Sequence, residues 1–158
     1  MTLIKSISGI RGTIGGTPKE NLTPIDIVKY ASSFGQWVIE SDSVRRVVIG
    51  RDARISGEMV SSLIANTLVG MGIDVIDLGL STTPTVEIAV PKENAGGGII
   101  ITASHNPAQW NALKLLNSLG EFLSAEDGEQ ILDLAEKAEF NFAEVFKLGQ
   151  YSVADQYL

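Results

Sequence analysis

The feature that most restricts the fold is an alternation, along most of the chain, of short β-branched apolar runs with longer stretches that carry apolar residues on one helical face. Between Thr23 and about Glu40 the residues Ile27, Val28, Ala31, Phe34 and Val38 share a face, behind Thr23 as N-cap and Pro24 in the first turn. Arg46-Val47-Val48-Ile49-Gly50 follows as a buried strand that stops at glycine. A second helix is expected behind Ser56 as N-cap, with Val60, Leu63, Ile64, Thr67, Leu68 and Met71 as its stripe and Gly72 at the left-handed C-terminal position. Ile73 to Leu78 reads as a strand, and Thr83-Pro84 opens a short helix that Pro91 ends or distorts. Gly96 to Thr102 and Ala112 to Leu116 read as further strands, and Ser124 caps a last helix bearing Ile131, Leu134, Ala135 and Ala138. The pattern predicts an α/β fold, a three-layer α/β/α sandwich with a mixed, mostly parallel sheet. The mixture is expected at one place. The interval from Ile101 to Ala112 is too short for a crossover helix, so the strand holding Lys114 should run antiparallel to its predecessor.

A chain of 158 residues, with 44% hydrophobic and 20% charged residues, is long enough for one domain with a true core. The helical stripe does not continue past Phe140. Residues 1–140 are therefore expected to form the domain, and 141–158 a linker and the start of a second domain that is absent. The net charge of −7, with 12 Lys and Arg, argues against a nucleic-acid surface, so any anionic ligand must be bound locally. No cysteine is available for disulfides or thiolate metal sites, which fits a reducing compartment. Neither a secretory leader nor an apolar run long enough to span a membrane is visible, so a cytoplasmic location is expected.

Ligands of such sheets sit on loops leaving the carboxyl ends of strands, and two loops qualify: Gly50 to Ser56, and Thr102 to Asn111. Thr102-Ala103-Ser104-His105-Asn106-Pro107 concentrates hydroxyl, imidazole and amide groups after a buried strand, with Pro107 restricting Asn106. Ser104 is a candidate nucleophile or phosphoryl carrier, and His105, the only histidine, a hydrogen-bond donor beside it. The competing interpretation is a polar turn that satisfies its own hydrogen bonds. Lys114 stands ten residues further on. If the loop folds back, its amine meets the serine in one pocket, where neighbouring Leu113, Leu115 and Leu116 favour partial desolvation; otherwise it is a solvated strand lysine. Ser8-Gly9-Ile10-Arg11-Gly12 sets Arg11 between glycines, where a guanidinium can fork onto phosphate, or forms a plain glycine-rich turn. Gly50-Arg51-Asp52-Ala53-Arg54-Ile55-Ser56 sets two arginines and an aspartate at a strand-to-helix junction, where the helix N-terminus favours anions, but it reads chiefly as an ion-paired loop that braces its neighbours.

Taken in order, these segments resemble the α-D-phosphohexomutase superfamily, which includes phosphoglucomutase, phosphomannomutase and phosphoglucosamine mutase. Ser8 to Gly12 resembles its Gly-Ile-Arg-Gly motif, Gly50 to Ser56 its Gly-Arg-Asp-x-Arg segment, Thr102 to Pro107 its phosphoserine loop, and Asn111 to Lys114 its Asn-Gly-x-Lys element. The resemblance implies an N-terminal, serine-bearing domain of an isomerase that moves a phosphoryl group between C1 and C6 of a hexose phosphate. It implies Ser104 as carrier, Arg11 and Lys114 as proton-transfer and charge-stabilising groups, and His105 and Asn106 as supports of the phosphate-binding loop. It also implies Mg²⁺ on a phosphoserine oxygen of Ser104 and hexose 1,6-bisphosphate as intermediate and primer. Motifs that complete the metal and sugar sites are missing, so the expected partners are the C-terminal domains, and the chain alone should be inactive. A short phosphosugar-binding or regulatory module is the alternative. One departure stands out: Ala112 occupies the usual glycine position, where a left-handed backbone would be strained by its Cβ.

Overall fold

The computed structural model describes residues 1–158 apart from Ser8, Asp42, Asp155 and Leu158. Ser8, the first residue of the Arg11 motif, thus lies outside the described residues. Along the chain come β1 (Ile4–Ser6), β2 (Gly9–Thr13), α1 (Pro24–Glu40), β3 (Arg46–Arg51), α2 (Gly57–Gly70), β4 (Asp74–Leu80), α3 (Thr83–Lys92), β5 (Gly97–Ile101), β6 (Trp110–Leu116), α4 (Ala125–Lys137), a 3₁₀ turn (Val145–Lys147) and β7 (Tyr151–Val153). The caps at α1 and α4 act locally as expected, whereas Ser56 stands at the N-cap of α2 without a side-chain cap bond, its Oγ accepting from Asn111 Nδ2 instead. Thr23 Oγ1 accepts from Asp26 N while the Asp26 carboxylate takes the Thr23 amide, a reciprocal box that fixes where α1 starts. Ser124 accepts from Asp127 N at the start of α4. Pro91 sits in the last turn of α3, which ends at Lys92. Gly72 has φ +81 after α2.

The sheet order is β1-β2-β6-β5-β3-β4-β7. The pairs β5–β3, β3–β4 and β4–β7 are parallel, whereas β1–β2, β2–β6 and β6–β5 are antiparallel. The sheet is mixed because the connection from β5 to β6 holds no helix, so β6 must reverse. β1 and β2, which the glycine-rich N-terminal motif did not suggest as strands, extend the sheet beyond β6. The segment from 141 onward, expected as a linker, lies against the domain: Ala143 N donates to Gly70 O, Gly149 N to Val69 O, and β7 adds an edge strand to β4.

Helices α1, α2 and α4 cover one face, burying Ile27, Phe34, Ile64, Leu68 and Ile131 against Ile10, Ile49, Ile99 and Leu113. On the opposite face α3 packs Val86, Ala89 and Val90 against Val48, Ile100 and Leu116. This gives the three expected layers, but the outer layer is incomplete, since α3 contacts β3 and β5 and leaves the β2–β6 side open. Arg11 is opposite Ala112 and Gly9 opposite Lys114, so the open face carries both Arg11 and Lys114. Gly9 permits the close approach of these strands, because a Cβ there would collide with the Leu113 carbonyl oxygen.

The chain has three tyrosines, and the folded structure pushes all of them up to about 12. Burial is the leading cause at Tyr30 and Tyr157, and at Tyr151 it is the hydrogen bond its hydroxyl donates to Asp77 Oδ2 at 2.5 Å. A raised folded-state value stabilises the protein fully below the unfolded value of 10.0 and loses that contribution as pH climbs through about 12. Absorbance at 295 nm should therefore stay flat through pH 10 in the folded chain and rise there only when the chain is unfolded by denaturant. Tyrosinate appearing in the folded chain with a midpoint near 10 would contradict the packing described.

Candidate active site

The loop between β5 and β6 begins where Thr102 N donates to Ala112 O, and it turns through Asn106 N to Ala103 O and Trp110 N to Pro107 O. The antiparallel return brings Lys114 back to the loop start, and Lys114 Nζ donates to Ser104 Oγ at 3.0 Å. Ser104 is exposed and has φ +50, the left-handed region that a residue with a Cβ seldom occupies without support. The sequence suggested strain at Ala112. The structure puts Ala112 in β6, opposite Arg11 and outside the positive-φ residues, and the strained position is Ser104 itself.

Arg11, Ser104, His105, Asn106 and Lys114 line one open cleft of about 320 Å³, with Thr102, Ala103 and Ala112. All five candidates from the sequence are brought together. Arg11 and His105 are exposed, and neither side chain forms a hydrogen bond or ion pair with any described residue. Lys114 is half-buried. A cationic, donor-rich cleft in a chain of net charge −7 is suited to a small anion whose oxygens accept from several directions. A neighbouring cleft of about 400 Å³, lined by Ile4, Ser6, Gly9 and Phe122, shares Arg11 and Lys114 with the first, so a ligand at Ser104 has room to extend over β2 and β6.

The Gly50–Ser56 segment supplies what residue types alone did not reveal. Arg54 Nε pairs with Asp52 Oδ2 at 3.3 Å, the expected ion pair, but the rest of the guanidinium reaches the serine loop. Nη1 donates to Pro107 O and Trp110 O at 2.7 and 3.1 Å, and Nη2 to Ser104 O and Asn106 O at 2.8 Å each. Thr102 Oγ1 donates to Asp52 Oδ2 at 2.6 Å and accepts from Ser104 N at 3.2 Å. Asn111, fully buried, donates to Ser56 Oγ at 2.9 Å and so ties the start of β6 to the head of α2. Arg51 is not part of this cleft; it lines another, of about 500 Å³, with Asp77 and Tyr151.

This is a three-layer α/β domain with a strained serine, a lysine bonded to it and an arginine without a partner among the described residues at the carboxyl end of its parallel strands, an arrangement suited to binding a small anion. Comparison with known sequences supplies the family. Residues 3–142 match the profile of the family described as phosphoglucomutase/phosphomannomutase, alpha/beta/alpha domain I, and the chain belongs to this family. It is similar to a phosphoglucomutase/phosphomannomutase of Thermococcus kodakarensis, 37% identical over 147 residues, which cover 91% of this chain and 32% of that protein. A phosphoglucosamine mutase of Alkaliphilus metalliredigens is 42% identical over 119 residues, covering 75% of this chain and 26% of that protein. Among solved structures, one described as a putative phosphomannomutase from Thermus thermophilus superposes with TM-score 0.78 at 28% identity, over 98% of this chain and 34% of that one. The chain thus spans about a third of the length of these relatives. Among the described residues no helix is long and apolar enough to cross a membrane.

Because Ala112 lies in β6, replacing it with glycine should loosen an ordinary strand rather than relieve a left-handed turn. Ala112→Gly is expected to cost about 0.5–1 kcal/mol through added freedom of the unfolded chain. Thermal unfolding checks this. A lower midpoint agrees with the strand placement, whereas a higher one would return the strain to position 112.

Proposed function

We propose that this chain is the serine-bearing domain of a phosphohexomutase, in which Ser104 exchanges a phosphoryl group with the C1 and C6 oxygens of a hexose phosphate by way of a hexose 1,6-bisphosphate. The observation that carries this reading is the 3.0 Å contact from Lys114 Nζ to Ser104 Oγ beside Arg11, which has no partner among the described residues. Membership of the family and the names of its relatives support the reaction class. They leave the hexose, whether glucose, mannose or glucosamine, to parts of the enzyme beyond this domain.

In the transfer, the phosphorus–oxygen bond to Ser104 breaks as the hexose oxygen bonds to phosphorus. In sum the hexose hydroxyl loses a proton and Ser104 Oγ gains one. Lys114 already donates to that oxygen, so it can supply the proton as Oγ leaves and take it back when the second phosphoryl group returns to the serine, while the proton lost by the hexose hydroxyl passes to solvent and an equivalent one returns to the other hexose oxygen in the second transfer. The forked donors of Arg11, with a ring N–H of His105, meet the phosphoryl oxygens, and Asn106 holds its part of the loop in place. Mg²⁺ bound at the phosphoserine would offset charge on the phosphoryl oxygens. This chain would bring an oxygen on Ser104 to such a site, and among the described residues no group of three or more His, Asp or Glu is placed to hold a cation. The other ligands and the sugar contacts fall to the domains that complete the relatives' length, so the isolated chain should not turn over. The absence of cysteine fits work in a reducing cytoplasm.

With the chain joined to those domains, Ser104→Ala should abolish interconversion of hexose 1- and 6-phosphates. Lys114→Met should lower kcat by about 10²–10⁴-fold, the usual reach of a general acid or base, with little change in unfolding midpoint. A coupled assay measures both. Wild-type turnover in Ser104→Ala would end the proposal.

A further inference from the structure

The geometry points to Asp52 and Arg54, acting with Thr102, as positioning residues that clamp both backbone polar groups of Ser104 and so present its hydroxyl to Lys114. The inference rests on Ser104 being the reacting oxygen, as proposed above. Its starting point is the φ of +50 at Ser104, a conformation that persists in a non-glycine residue only where the surroundings over-determine it.

The surroundings do so from two sides. The Thr102 hydroxyl has one proton and gives it to Asp52 Oδ2 at 2.6 Å, so the oxygen faces the Ser104 amide as an acceptor, at 3.2 Å. Beyond the Cα, the Ser104 carbonyl is held by Arg54 Nη2 at 2.8 Å. The same Asp52 oxygen that fixes Thr102 also receives Arg54 Nε, so the amide and carbonyl clamps share one anchor.

The donor count separates this arginine from Arg11. A guanidinium offers five N–H donors. Arg54 uses one on Asp52 and two pairs on the carbonyls of Ser104, Asn106, Pro107 and Trp110, and its side chain is only 12% exposed. No donor remains for a phosphate. Arg11, exposed and without a partner among the described residues, is the one free to meet a ligand. A lysine at 54 could not reproduce the fork, because its ammonium is a point donor.

The chain has no cysteine, so Ser104→Cys introduces a single thiol at the reacting position. Its pKa, read from the pH dependence of alkylation by iodoacetamide, reports whether that side chain lies beside the Lys114 ammonium. The single variant should titrate below the ~8.5 of a free thiol. Adding Arg54→Ala or Thr102→Val should return the value toward that of a free thiol, slowing alkylation near neutral pH roughly tenfold for each unit of pKa. Millimolar guanidinium should reverse the change in Arg54→Ala and not in Thr102→Val. Thr102→Val, nearly isosteric, keeps the test open if Arg54→Ala does not fold. A depressed pKa that neither added substitution moves would overturn the clamp while leaving the Lys114 contact standing. A free-thiol value in Ser104→Cys alone would overturn both.

Discussion

Because β6 returns antiparallel along β5, with Ile101 opposite Leu113 and Ile100 opposite Lys114, the loop between them closes at the carboxyl end of the parallel strands. That register decides which side chains can meet. It brings Lys114 to Ser104 across the loop, and the pairing of β6 with β2 sets Arg11 on the same face. A parallel continuation would need a crossover helix and would carry the lysine away from the serine. The incomplete outer layer has a matching consequence: α3 covers the β3–β5 half of its face, and the β2–β6 half is left to form the cleft.

The strain at Ser104 belongs to the same design. A left-handed conformation at a residue with a Cβ is kept only by neighbours with few alternatives of their own. Here those neighbours come from the junction between β3 and α2, at Asp52 and Arg54, so the loop after one parallel strand is held by the loop after the adjacent one. Of two adjoining loops at the end of the sheet, one carries Ser104 and the other holds it in place by hydrogen bonds.

Much of this was legible in the sequence because it depends on local chemistry. Caps at Thr23 and Ser124, the β-branched runs at β3 and β5, and the short interval before Lys114 each act through neighbours in the chain, and each placed its element correctly. β1 and β7 were not visible, since each is three residues long, exposed throughout and defined only by the distant strand it pairs with. The reach of Arg54 was hidden for a related reason. Four of its partners are backbone carbonyls more than 45 residues away, and a carbonyl leaves no trace in side-chain pattern. Ala112 misled because the expectation of a turn came from a glycine elsewhere in the family, while this chain continues β6 through that position.

The role proposed for Ser104 is to carry the phosphoryl group on its side-chain oxygen. It is tested most directly by incubating the chain, joined to the domains that complete its relatives, with hexose 1,6-bisphosphate and mapping the phosphopeptides by mass spectrometry. Phosphate is expected on Ser104, lost again when excess hexose phosphate is added. Phosphate accumulating on another residue, or a turning-over enzyme with Ser104 never modified, would contradict it.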